Sequence, residues 1–75
     1  MDKNIIVLGL GRFGSAVAVE LAKSDIYVTA VDLDYDLVEK IASSVSNAVQ
    51  ADITEEVAMK SLGINNFDLS LIHIS

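Results

Sequence analysis

The feature of this sequence that most constrains its fold is a Gly-x-Gly-x-x-Gly pattern formed by Gly9, Gly11 and Gly14. The pattern follows a continuous apolar run at residues 5–8, which is typical of a strand covered on both faces in a parallel sheet. It precedes a segment with helical spacing, in which a line of small residues runs beside a line of bulky ones. A strand, a glycine loop and a helix in this order favour the binding of a dinucleotide pyrophosphate.

Each glycine has a separate physical role in such a loop. Gly9 permits the tight turn, Gly11 lets the backbone approach a phosphate without an intervening Cβ, and Gly14 lets the helix lie against the strand. The amide N–H groups at the start of the helix then face the phosphates, whose charge the helix dipole favours. On its own, the pattern also fits a glycine-rich turn that binds no ligand.

The rest of the chain continues the alternation of strands and helices. One further helix is expected to be capped by Asp34, and another to begin at Thr54 and end at Gly63. Apolar and β-branched segments predict three further strands, at residues 26–31, 48–51 and 67–74. The order β-α-β-α-β-α-β favours right-handed crossovers and a parallel sheet with spatial order 3-2-1-4. We therefore expect an α/β fold, a Rossmann-like half, as a single domain over residues 1–75.

The acidic composition limits the classes of partner. The 75 residues carry a formal net charge of -6, which disfavours nucleic acid because phosphate-rich partners require clustered Lys and Arg. The chain contains no cysteine, so it offers no disulfide and no thiolate metal site. No apolar run approaches the roughly 18 to 20 residues of a membrane span. The sequence predicts a cytoplasmic protein without direct membrane insertion.

Arg12 is the only arginine of the chain, and it lies inside the glycine loop. A guanidinium offers a planar, bidentate contact to an anion, so its position beside the expected phosphates favours a binding role. The alternative is an arginine that is solvated on an exposed loop.

Two acidic residues follow strands at the edge where open α/β sheets bind ligands. Asp32 comes after the second strand, where an acid accepts hydrogen bonds from the adenosine ribose and repels the 2′-phosphate of NADP. The alternative for Asp32 is a helix cap, a role for which Asp34 is better placed. Asp52 follows the third strand, where it can either accept from the adenine amine or cap the next helix.

The predicted nucleotide site therefore comprises three short segments. They are Gly9, Leu10, Gly11, Arg12, Phe13 and Gly14 in the loop, Asp32, Leu33 and Asp34 after the second strand, and Ala51, Asp52 and Ile53 after the third. No catalytic residue or metal ligand is predicted, because the sequence has no Gly-x-Ser-x-Gly elbow and a single histidine, His73, in its last strand. We expect a binding protein and not an enzyme.

The string Gly9-Leu10-Gly11-Arg12-Phe13-Gly14 is more specific than the general dinucleotide fingerprint. It resembles the phosphate loop of RCK domains (regulators of potassium conductance), the N-terminal nucleotide-binding domains of Trk/Ktr-type potassium-uptake regulatory subunits. The resemblance continues through residues 31–34, 51–54 and 62–64 and covers nearly the whole chain up to Asp68.

This resemblance implies a cytosolic sensor that binds NAD(H) or ATP/ADP and gates potassium uptake. It implies dimers and rings that sit at the inner face of the cell membrane through a membrane potassium-transporter subunit. The phosphate contacts of the family correspond to Gly11, Arg12 and Phe13. Its ribose acid corresponds to Asp32, and its acid on the adenine side corresponds to Asp52.

The chain departs from the family in length. RCK domains continue with further strands and their main dimer surface, so we expect a truncated domain whose fourth strand lies at the edge of the sheet. Because exposed apolar edges tend to pair with another chain, we also predict a homodimer or larger oligomer. Two alternatives stay open: the cofactor-binding half of an NAD-dependent dehydrogenase, and a βαβ fragment that binds nothing.

Overall fold

A computed structural model describes residues 3–72, and its four strands form one parallel sheet in the order β3-β2-β1-β4. The strands are β1 (Asn4–Leu8), β2 (Tyr27–Asp32), β3 (Asn47–Gln50) and β4 (Leu69–Ile72). The connecting helices are α1 (Arg12–Lys23), α2 (Tyr35–Ile41) and α3 (Glu56–Ser61), and a 3-10 turn at Ile64–Asn66 follows α3. The predicted α/β Rossmann-like fold class is confirmed. Positions 73 and 74 of the predicted fourth strand lie outside the described residues.

The core lies on both faces of the two central strands. Alternate residues of β1 point to opposite faces, which is why the apolar run has no polar interruption. Ile5 and Val7 pack with α1 and α2 on one face, whereas Ile6 and Leu8 pack with the α3 region on the other. All four side chains are buried. The uninterrupted apolar run of β1 therefore reflects a sheet that is covered on both faces.

Helix α1 lies on the sheet through its small residues. Gly14 and Ala18 are the buried positions of α1. Because neither has a side chain beyond Cβ, the helix axis can come close to the strands. Phe13, from the neighbouring bulky line, is 64% exposed and lies at the loop end of the helix. Gly14 and Ala18 therefore set the distance between helix and sheet.

The structure agrees with two of the predictions made for the ends of the helices and differs from a third. Asp34 caps α2 as predicted, because its side chain accepts a hydrogen bond from the N–H of Asp36. Gly63 adopts the left-handed conformation after α3, with a φ of 69°, also as predicted. The prediction that Thr54 caps α3 is wrong. The N-cap of that helix is Glu55, which makes no side-chain capping bond, whereas Thr54 donates to Asp52.

Candidate functional site

The parallel register brings the ends of three strands to one edge of the sheet. Leu8 of β1 pairs with Val31 of β2, and Asp32 pairs with Gln50 of β3. The ladder continues one step past the strands, because the N–H of Ala51 donates to the carbonyl of Asp32 at 3.0 Å. The three segments predicted as a nucleotide site therefore begin side by side at the carboxyl edge.

The glycine loop is held at two successive amides. The N–H of Gly9 donates to the carbonyl of Val31 at 2.8 Å, and Gly9 has a φ of 104°, in the region that favours glycine. The N–H of Leu10 donates to Asp32 Oδ2 at 2.7 Å. The side chain of Leu10 is fully buried in the core, so this predicted site residue can meet a ligand only through its backbone. The loop is thus anchored to β2 before α1 begins.

The start of α1 is open to an anion. Gly11 is the N-cap, no side chain caps the helix, and no acidic residue lies in its first turn. The first bond within the helix runs from the N–H of Ser15 to the carbonyl of Gly11 at 2.9 Å. Helix geometry therefore leaves the amides of Gly11 and Arg12 without an intrahelical acceptor. Such amides, together with the positive end of the helix dipole, are suited to a phosphate.

Arg12 lies exposed in the first turn of α1. Among residues 3–72 it forms no ion pair, whereas Lys23 at the other end of the helix pairs with Glu20. Its guanidinium can therefore reach an anion at the helix start without first leaving a carboxylate.

Asp32 has a structural role that sequence reasoning missed. Besides the bond to Leu10, its Oδ1 accepts the N–H of Asp34 at 2.8 Å. The half-buried carboxylate therefore ties the glycine loop and the start of the next segment to the end of β2. A carboxylate has about four lone-pair sites, so acceptor capacity remains for ribose hydroxyls. The structural role and the predicted ribose role are compatible.

Asp52 accepts two hydrogen bonds from one residue. Its Oδ1 accepts the hydroxyl of Thr54 at 2.6 Å and the N–H of Thr54 at 2.9 Å. These bonds, the side-chain bond first and the backbone bond second, lower the pKa of Asp52 below its ordinary value. No donor among the described residues reaches Oδ2. Asp52 is therefore not the N-cap of α3, which is Glu55, and it still presents a charged oxygen at the edge.

The other predicted residues divide into exposed and packed side chains. Leu33 and Phe13 are exposed, at 59% and 64%. Ala51 and Ile53 are half-buried and pack against the hydrophobic cluster on the α3 face. The side chains of Ala51 and Ile53 therefore belong to the core. The exposed side chains of Leu33 and Phe13 are better placed to cover a ligand.

Two further contacts position the backbone of the site. Gln50 Nε2 donates to the carbonyl of Leu33 at 3.0 Å, and the hydroxyl of Ser15 donates to the carbonyl of Leu10 at 2.8 Å. The only advance signal for Ser15 is the general tendency of a serine near a helix start to bond a preceding carbonyl. For Gln50 the sequence offers none.

Within residues 3–72, no three acidic or histidine side chains come close enough together to hold a metal ion. None of the described helices has the length and apolar content that crossing a bilayer requires.

The fold and the anchored glycine loop define a Rossmann-like α/β domain. The sequence pattern of the TrkA-N domain family matches residues 5–75, and the chain belongs to this family. The resemblance to RCK-type N-terminal domains is thereby confirmed.

Two potassium uptake proteins are similar to this chain in sequence. The Ktr system potassium uptake protein C of Bacillus subtilis (strain 168) is 40% identical over 74 residues, which cover 99% of this chain and 34% of that protein. The Ktr system potassium uptake protein A of Vibrio alginolyticus is 42% identical over 73 residues, which cover 97% of this chain and 33% of that protein. The chain spans about a third of the length of these relatives.

A solved structure shares the fold. The apo form of histidine-tagged saccharopine dehydrogenase (L-Glu forming) from Saccharomyces cerevisiae superimposes with a TM-score of 0.75 at 25% sequence identity. The match covers 97% of this chain and 17% of the dehydrogenase.

The hydroxyl of Thr54 should be the main cause of the lowered pKa of Asp52. The Thr54→Val substitution removes the side-chain bond and keeps the backbone bond, so the pKa should rise toward the ordinary value of 3.8 without reaching it. An NMR titration of the Asp52 carboxyl carbon measures this. The two bonds also stabilise the folded state while Asp52 is ionised. Their contribution to the free energy of unfolding is fully present above pH 3.8 and is lost as the pH falls through the lowered pKa.

The Thr54→Ser variant is the matched control, because it keeps the hydroxyl and should keep the pKa low. An unchanged Asp52 pKa in Thr54→Val would show that the hydroxyl is not the cause.

Proposed function

We propose that this chain is an adenosine-nucleotide-binding domain for NAD(H) or ATP/ADP that acts as a regulatory part of a potassium-uptake system. Its site would be the carboxyl edge of the sheet. The observation that carries the proposal is the uncapped start of α1, which is anchored to β2 by Asp32 and has Arg12 in its first turn.

The phosphates would bind at the loop. The amides of Gly11 and Arg12 offer hydrogen-bond donors, and the helix dipole adds a favourable field within the first turn. The Arg12 side chain would add a bidentate, charged contact to a diphosphate. Gly14 supports the arrangement indirectly, because it is buried where α1 approaches the sheet.

The adenosine would lie beyond the ends of β2 and β3. Asp32 would accept from the ribose hydroxyls with the lone pairs that Leu10 and Asp34 leave available. The uncommitted oxygen of Asp52 would accept from the exocyclic amine of adenine. Leu33, which is 59% exposed, would cover apolar surface of the base. NAD(H), ATP and ADP share all of these groups.

The link to potassium rests on the relatives. Two proteins with 40% and 42% identity are potassium uptake proteins of Ktr systems, and each includes this domain as about a third of its length. We infer that nucleotide binding here is read out by a membrane transporter subunit through other parts of such an assembly. In this proposal the domain lies in the cytoplasm, at the inner face of the membrane. The predicted homo-oligomer stays a prediction.

A second candidate function is the cofactor-binding half of an NAD-dependent dehydrogenase. The superposition on saccharopine dehydrogenase favours it, since the match covers 97% of this chain. Both candidates predict adenosine binding by these residues, so adenosine affinity does not separate them. They differ beyond the fourth strand, where a dehydrogenase needs a nicotinamide pocket and an acid or base residue for hydride transfer.

Removing Arg12 should weaken binding of phosphate-bearing ligands only. Calorimetric titration of the Arg12→Ala variant should show a loss of about ten-fold for ADP and ATP, because a hydrogen bond to a charged group is lost, and no loss for adenosine. The matched control is Lys23→Ala, which removes the same charge from the far end of the same helix. A uniform loss across adenosine, AMP, ADP and ATP would indicate a folding defect, and no loss would place Arg12 in solvent.

The charge of Asp32 should set the preference between NADH and NADPH. The parent chain should bind NADH more tightly by about ten-fold or more, because a 2′-phosphate would lie close to the carboxylate. In Asp32→Asn this ratio should narrow, whatever the variant does to overall affinity.

Glu39→Gln is the control for that ratio. It removes one negative charge from an exposed side chain of α2 outside the predicted site, so the ratio should stay that of the parent. Equal affinity of the parent for NADH and NADPH would contradict the proposed ribose contact.

A further inference from the structure

Ser15 is bound to the glycine loop from inside the helix. Its N–H donates to the carbonyl of Gly11 at 2.9 Å, as the first bond of α1. Its hydroxyl reaches one residue further back and donates to the carbonyl of Leu10 at 2.8 Å. The hydroxyl bond is partly buried.

The bond to Leu10 fixes the orientation of one peptide plane. A trans peptide is planar, so its C=O and the following N–H point in opposite directions. With the carbonyl of Leu10 directed to the Ser15 hydroxyl, the N–H of Gly11 points away from Ser15. This N–H is one of the open amides at the start of α1.

Leu10 is also held through its backbone N–H and its side chain. The N–H of Leu10 donates to Asp32 Oδ2 at 2.7 Å, and the side chain of Leu10 is fully buried. Leu10 therefore cannot shift as a whole to accommodate a different orientation of its carbonyl. Ser15 provides the one side-chain hydrogen bond to that carbonyl among the described residues.

We propose that Ser15 is a positioning residue for phosphate recognition, which orients the Gly11 amide before a ligand arrives. This role rests on the proposed function, and it assigns to Ser15 the orientation of a phosphate-binding amide. Ordering a donor in advance removes an entropic cost from binding. Loss of one neutral hydrogen bond of this kind should weaken diphosphate binding by roughly three- to ten-fold.

The test compares three variants by calorimetric titration with adenosine, AMP and ADP. Ser15→Ala should lose affinity for ADP and keep that for adenosine. Ser15→Thr should restore ADP binding, since it keeps the hydroxyl at a position that lines an open groove. Ser24→Ala is the matched control, because Ser24 makes the same kind of bond to the Glu20 carbonyl at the other end of α1. It should bind like the parent.

A second measurement needs no nucleotide. The residual dipolar coupling of the Gly11 N–H reports its direction, and it should differ between the parent and Ser15→Ala while couplings in the core strands stay unchanged. An unchanged Gly11 coupling, or an equal loss for adenosine and ADP, overturns the proposal. If the parent binds none of the three ligands, the proposed function fails, and the coupling alone decides whether Ser15 orients the amide.

Discussion

The hydrogen bond from the Leu10 N–H to the Asp32 carboxylate is the contact on which the rest of the site depends. It joins residues 22 positions apart and holds the loop after β1 against the end of β2. A hydrogen bond to a charged group contributes about 1.5–3 kcal/mol. For a small domain with a stability of roughly 0.1 kcal/mol per residue, that is a large share. This bond and the burial of Leu10 fix the loop from which α1 begins.

The overall charge of the chain does not prevent it from holding a phosphate. The net charge is -6, but exposed charges are largely screened beyond about 8–10 Å at ordinary salt concentrations. The local balance therefore decides. At the helix start it comprises Arg12, the open amides and the helix dipole, and the first turn of α1 contains no acidic residue. Asp32 bonds the loop directly, and two backbone N–H groups donate to its carboxylate.

The features that could be predicted from the sequence are those that short segments of the chain determine. The apolar runs, the glycine loop, the cap at Asp34 and the left-handed Gly63 all depend on neighbours within a few residues, and all are present in the structure. The bonds of Asp32 to Leu10 and of Gln50 to Leu33 could not be predicted, because they depend on how two strands are aligned. Thr54 shows how a local rule fails. It has the right type for an N-cap, but the carboxylate of Asp52 accepts both its hydroxyl and its N–H, and the helix begins later.

A map of backbone amide shifts in the labelled chain during titration with ADP shows directly where the phosphates bind. If the carboxyl edge is the site, the largest shifts will fall on Gly11, Arg12 and Asp32 and will saturate with one binding constant. The opposite result would be unchanged amide signals at Gly11, Arg12 and Asp32. The largest shifts would then lie in the groove between α1 and α2, which is lined by Val19, Lys40 and Ser44. That outcome would contradict a phosphate site at the glycine loop.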